Sequence, residues 1–216
     1  MRIKPYLPYI GIAAFALAVG GLAGYLNLEH RPSVAPAGPT TTIVLLRPGR
    51  PLPAFNLQLD DGKPFARDAL SGHWSLLYFG YTHCTDVCPA TLADLTKMAA
   101  ALKGLPPAQR PQVYFISVDP KRDSLTGLHD YVKYFDIDFS AATGSVDQLR
   151  ILAKALGADF SYTPPDQSTG YTVNHSNSIM VVDPQVREVA LYTPPLIASR
   201  MADDYRFIIK IQGAQP

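Results

Sequence analysis

Cys84 and Cys88 are the only cysteines in a chain of 216 residues. They stand three residues apart in YFGYTHCTDVCPATLADL (78–95), beside His83 and just ahead of Pro89. Two thiols at that separation can close a disulfide or chelate one soft cation. On a roughly helical path their Cα atoms are about 6 Å apart, inside the disulfide range. A redox dithiol usually has two spacers, and a structural zinc or iron–sulfur site wants four protein ligands, for which no second cysteine pair exists. Cu(I) is the thiophilic ion that accepts two thiolates and one imidazole.

A third donor must then be a histidine. His175, in YTVNHSNSIMVVDP, precedes a predicted strand and is flanked by Asn174, Ser176 and Asn177, groups suited to holding a loop and orienting an imidazole. His83 adjoins Cys84, but neighbouring side chains point different ways, so it is the weaker ligand candidate. His30, His73 and His129 fall in a tether, a turn and a helix face and read as solvated. Each feature has a plainer reading too. The cysteines of an exported domain can form a structural disulfide, although so short a loop gains little from closure. His175 can be an ordinary hydrogen-bonded histidine. Asp119, in SVDPKRD, can open an Asp-Pro turn or stand behind the ligands as an orienting carboxylate.

The cysteines need a strand and a helix to position them. WSLLYFG (74–80) is a continuous apolar run and predicts a buried strand. A helix to about Lys103 follows, with Leu92, Leu95, Met98, Ala99 and Leu102 at helical spacing. Asp86 is the predicted N-cap, with Val87, Cys88 and Pro89 in the first turn. Both sulfurs then sit at the positive end of a helix dipole, which favours thiolates. QVYFISVD is a second buried strand. Helices are predicted over SLTGLHDYVKYF and SVDQLRILAKALG, the latter closed by Gly157. A hairpin is read at Asp61-Gly62, a strand pair over SIMVVDP and REVALYT, and a last amphipathic helix over PLIASRMADDYRFIIKIQG. Alternating strands and helices ending in a strand pair predict an α/β sandwich with a mixed sheet, its chemistry at the carboxyl end of a strand.

Hydrophobic content of 47% and charged content of 17% suit a packed core, and 19 basic against 18 acidic residues leave no electrostatic footprint for nucleic acid. From Pro5 to Leu28 no charge occurs, whereas a bilayer core takes about 20 residues of helix. Arg2 and Lys4 precede the run, so the remainder is expected on the exported side. Residues 1–30 are thus a cytoplasmic N-terminus and transmembrane anchor, with a cleaved signal peptide as the alternative. Residues 31–50 are a Pro-rich tether, and the globular domain is expected over 51–216.

GYTHCTDVCPATL, ISVDPKRDSL and VNHSNSIMVVDP, in this order and at these separations, resemble the Sco/SenC proteins over about residues 50–211. The resemblance implies a thioredoxin-like fold, a mixed central sheet flanked by helices and preceded by one N-terminal transmembrane helix. It implies copper held by the two motif cysteines and a distant histidine, here Cys84, Cys88 and His175, with the dithiol able to form a disulfide. Cu(I) follows from ligand softness, and Cu(II) is left open. It further implies delivery of copper to, or reduction of the thiols of, the dinuclear copper site of cytochrome c oxidase subunit II. Another periplasmic copper chaperone or a thiol reductant would be a further partner. Asp119 is expected near the site, and residues Tyr162 to Val173 as a partner-binding loop. The domain would face the periplasm from a bacterial inner membrane, or the intermembrane space from a mitochondrial one. Thr85 stands where many relatives have proline.

Two classes of function remain from the residues alone. A metallochaperone needs His175, whereas a thioredoxin-type thiol–disulfide oxidoreductase needs only the cysteines. A thiol peroxidase would need a low-pKa cysteine beside an arginine or threonine; Thr82 and Thr85 are candidates, but no arginine is near in sequence, so this reading ranks last.

Overall fold

A computed structural model describes residues 43–165 and 170–213 of the chain. The predicted anchor, and the tether up to residue 42, lie outside the described residues. Among the described residues no helix is long and apolar enough to cross a membrane.

The strands are β1 (Ile43–Pro51), β2 (Asn56–Leu59), β3 (Pro64–Ala66), β4 (Ser75–Gly80), β5 (Gln112–Ser117), β6 (Ser140–Thr143), β7 (Phe160–Tyr162), β8 (Val173–His175), β9 (Ile179–Val182) and β10 (Arg187–Tyr192). The helices are α1 (Val87–Ala101), α2 (Leu125–Phe135), α3 (Val146–Ala155) and α4 (Ala198–Gly213). Eight strands form one sheet in the order β1-β10-β9-β4-β5-β6-β2-β3, and β7 pairs with β8 alone. β4, β5 and β6 run parallel and their other sheet neighbours antiparallel, so the sheet is mixed as expected.

All six residues of β4 are buried because both faces of the sheet are covered. Leu76 and Tyr78 face a core shared with Leu92, Leu95 and Met98 of α1, Leu128 and Val132 of α2 and Met201 and Tyr205 of α4. Leu77 and Phe79 face a second core with Leu149 and Leu152 of α3 and with Phe160, Val173 and Met180. The strand therefore reads as an unbroken apolar run instead of an alternating one. Gly157 follows α3 at φ +66°, a conformation glycine adopts without Cβ strain.

Two sequence expectations are corrected, and one strand has no counterpart in the sequence reading. Residues 43–50 are not tether: they form most of β1, which pairs antiparallel with β10, so the folded part starts before Pro51. Pro48 and Gly49 suppress the strand signal, and pairing with β10 supplies the missing partner. The segment Tyr162–Val173 is not all loop, because Tyr162 and Val173 close the β7–β8 hairpin. Its residues 166–169 lie outside the described residues. β6, reading Ser-Ala-Ala-Thr, was invisible to periodicity. It exists because β5 and β2 hydrogen-bond to it on either side.

Candidate metal centre

Parallel pairing of β4 with β5 sets Gly80 beside Ser117, so the loops that follow both strands emerge side by side. The cysteines lie in the first of these loops and at the start of α1. Antiparallel pairing of β9 with β4 matches Ile179 to Tyr78. The chain entering β9 thus comes down over the same strand end, carrying His175. These two pairings bring together residues 87 positions apart: Cys88 Sγ and His175 Nε2 lie 3.3 Å from each other. The donor atoms of Cys84, Cys88 and His175 all fall within 4.8 Å of one another, and both thiols are free.

The imidazole is oriented for ligation. His175 Nδ1 lies 3.1 Å from the carbonyl of Ser176, which can only accept, so Nδ1 carries the proton and Nε2 offers its lone pair towards the sulfurs. Tyr78 and Tyr81 pack edge-on to the ring at centroid distances of 6.1 and 6.0 Å. Burial lowers the His175 pKa, which keeps the ring in the neutral form a metal requires. Asn177 Oδ1 accepts from Tyr78 Oη (3.0 Å) and Thr91 Oγ1 (3.1 Å), tying the strand entry to β4 and α1.

The sulfurs differ from expectation and from each other. Asp86 makes no side-chain cap; instead Cys84 Sγ accepts the Cys88 N–H at 3.3 Å, so a sulfur occupies the capping role. Cys88 is fully buried, and that burial pushes its thiol up to about 12, with Cys84 nearby adding to the rise. The dipole-favoured thiolate predicted at Cys88 is therefore overridden by desolvation. Cys84 is half-buried. Gly80 makes the room: a Cβ there would stand 2.5 Å from Phe115 Cε2 and 2.9 Å from Cys88 Sγ.

Asp119 is fully buried but has no hydrogen bond to a thiol or to His175. Its carboxylate pairs with Arg122 Nε and accepts Tyr171 Oη at 2.6 Å. The Arg122 guanidinium stacks on the Tyr171 ring at 3.8 Å, donates Nη1–H to the Tyr171 carbonyl at 2.8 Å, and lies 5.6 Å from the Tyr81 ring. Tyr162 Oη donates to the Val118 carbonyl at 2.6 Å. Asp119 thus fastens the hairpin that carries His175. The carboxylate that holds the cysteine loop is Asp123, missed in the sequence. It accepts Thr82 N–H (3.0 Å), Thr82 Oγ1–H (2.6 Å) and Ser117 Oγ–H (2.6 Å). Its only sequence signal was a second aspartate four positions after Asp119 in the same turn. His129, read as solvated, pairs with Asp60 at 2.8 Å, and His73 lies 3.2 Å from Tyr114 Oη.

The sequence model of the SCO1/SenC family matches residues 48–210. The chain is 34% identical over 143 residues to a putative copper-binding protein of Stutzerimonas stutzeri, covering 66% of this chain and 69% of that one. It is 36% identical over 140 residues to the mitochondrial SCO1 homolog 1 of Arabidopsis thaliana, spanning 64% of this chain and 41% of that protein's length. The crystal structure of Arabidopsis thaliana ScoI with copper bound superposes with a TM-score of 0.68 at 31% identity, over 73% of this chain and 98% of that one. A sandwich that folds in this way, and a family match running from β1 into α4, show that the chain belongs to the SCO1/SenC family.

Proposed function

We propose that this chain is a copper carrier that holds the ion on Cys84, Cys88 and His175. The observation that carries this reading is the convergence of two thiols and a lone-pair-bearing imidazole nitrogen within 4.8 Å. Two thiolates and an imidazole select Cu(I) over harder ions, and relatives of this chain include a protein named as copper-binding and structures with copper bound. Seating the ion displaces the Cys88 proton, which burial holds in place while the site is empty of metal. Loading is thus coupled to the thiols being reduced.

For the destination, membership of the SCO1/SenC family supports the following reading. The cargo goes to the dinuclear copper site of cytochrome c oxidase subunit II, or the dithiol reduces the cysteines of that site. The N-terminal segment anchors the domain, which faces the periplasm of a bacterial inner membrane or the corresponding mitochondrial space. Anaerobic copper titration of the full chain, wild type against His175→Ala, followed by X-ray absorption, tests the carrier. Two sulfurs and one nitrogen around copper in the wild type, reduced to sulfur alone in a folded variant, is the expected result. Unchanged coordination in the variant would sink it.

A second reading rests on the asymmetry of the thiols. A half-buried Cys84 ahead of a buried Cys88 at a strand-to-helix junction suits a thiol–disulfide oxidoreductase. Disulfide turnover that survives His175→Ala and is abolished by Cys84→Ser distinguishes it.

A further inference from the structure

His83 is the exposed neighbour of Cys84, with its side chain 54% accessible. Its hydrogen bonds decide which ring nitrogen carries the proton. Thr82 Oγ1 gives its single hydrogen to Asp123 Oδ1 at 2.6 Å. The same oxygen lies 3.0 Å from His83 Nδ1 and has only lone pairs left to offer, so Nδ1 must donate to it. Asp123 Oδ1, itself 3.6 Å from Nδ1, reinforces that arrangement. In the neutral imidazole Nε2 then carries the lone pair, on an accessible ring. His175 has the same tautomer by the same logic, with the Ser176 carbonyl in the role of Thr82. Two imidazoles are therefore prepared as ligands: His175, half-buried against Cys88, and His83, exposed and next to Cys84 in the chain. A hydroxyl backed by a buried carboxylate is the support that ligating histidines commonly receive.

We propose that His83 is a handover ligand, binding Cu(I) transiently through Nε2 as the ion passes between a donor or acceptor protein and the buried site. This rests on the copper-carrier reading of Cys84, Cys88 and His175. Cu(I) keeps its oxidation state throughout. On entry a lone pair of His83 Nε2 forms a bond to copper as one ligand of the donor leaves. Cys84 Sγ then displaces the donor's remaining ligand, and Cys88 Sγ with His175 Nε2 completes the set as His83 departs. The two thiol protons are released to solvent, and Nδ1 of His83 keeps its own. Direct entry at Cys88 is blocked because that sulfur has no solvent exposure.

The test is stopped-flow transfer of copper from anaerobic Cu(I)–bicinchoninate to the full chain, with equilibrium competition run in parallel. His83→Gln and His83→Ala are expected to slow transfer on the order of tenfold while leaving equilibrium affinity and the two-sulfur, one-nitrogen coordination unchanged. Thr82→Val, which keeps the imidazole and removes its acceptor, should give a smaller slowing. Transfer at the wild-type rate in both His83 variants would overturn the proposal. So would a loss of affinity carried by faster dissociation at an unchanged transfer rate, which would make His83 a resident ligand. Wild-type protein that takes up no copper would instead dispose of the carrier reading itself, so the two failures are told apart.

Discussion

Cys88 Sγ and His175 Nε2 lie 3.3 Å apart, and the sulfur of this pair is sealed from solvent while Cys84 is not. Burial that pushes the Cys88 thiol up to about 12 leaves almost none of it as thiolate at pH 8. Iodoacetamide at pH 8 should therefore alkylate Cys84 of the native, metal-free chain well before Cys88. Peptide mass spectrometry over a time course checks this. Equal modification of both cysteines, with the fold intact, would contradict the buried thiol.

Gly80 should tolerate no side chain. The alanine Cβ would meet Phe115 and Cys88 Sγ at 2.5 and 2.9 Å, both held in a packed core. Gly80→Ala is expected to cost about 1–3 kcal/mol and to weaken copper retention by displacing the sulfur. Gly104→Ala, whose Cβ meets nothing within 4 Å, is the control. Urea unfolding and competition with a copper chelator read the two effects.

Arg122 holds the His175 hairpin through the Asp119 carboxylate, the Tyr171 carbonyl and the Tyr171 ring. Arg122→Met leaves a buried carboxylate without its cation, a loss of about 3 kcal/mol. Tyr171→Phe removes one hydrogen bond and keeps the stack, for about 1 kcal/mol. Amide exchange in β8 should quicken in that order, and copper should dissociate faster. Exchange in β8 that does not change in Arg122→Met would show that the clamp holds nothing.

Stability should fall as pH rises through the Glu188 titration. Burial raises this carboxyl from 4.5 to about 7 despite the Arg50 guanidinium at 2.6 Å. A raised carboxyl binds its proton more tightly folded than unfolded. Its contribution is therefore complete below about pH 4.5 and lost as pH climbs through about 7. The full linkage is about 3 kcal/mol, reduced by water around half-exposed Arg50 to about 1–2 kcal/mol. Thermal melts between pH 4.5 and 8 should show this slope in the wild type and a flatter one in Glu188→Gln.

Much of this was written in the chain itself. The ligand types, the CxxxC spacing, the buried strand that feeds it and the helical period of α1 are local properties, set by side-chain chemistry and backbone repeat. The hairpin at Asp61-Gly62 and the glycine stop at Gly157 are local as well. Tertiary structure decided the rest. β1 and β6 became strands through partners far along the chain, because strand pairing depends on a neighbour's hydrogen bonds more than on intrinsic preference. Asp119 and Asp123 stand in one turn, yet the parallel β4–β5 register turned the second towards the cysteine loop and the first towards the histidine hairpin. The thiol at Cys88 was read from a helix dipole and is governed by burial, a quantity that exists only once the sheet is covered on both faces. The sequence names the candidate donors; the antiparallel return of β9 along β4 puts the imidazole within reach of the sulfurs.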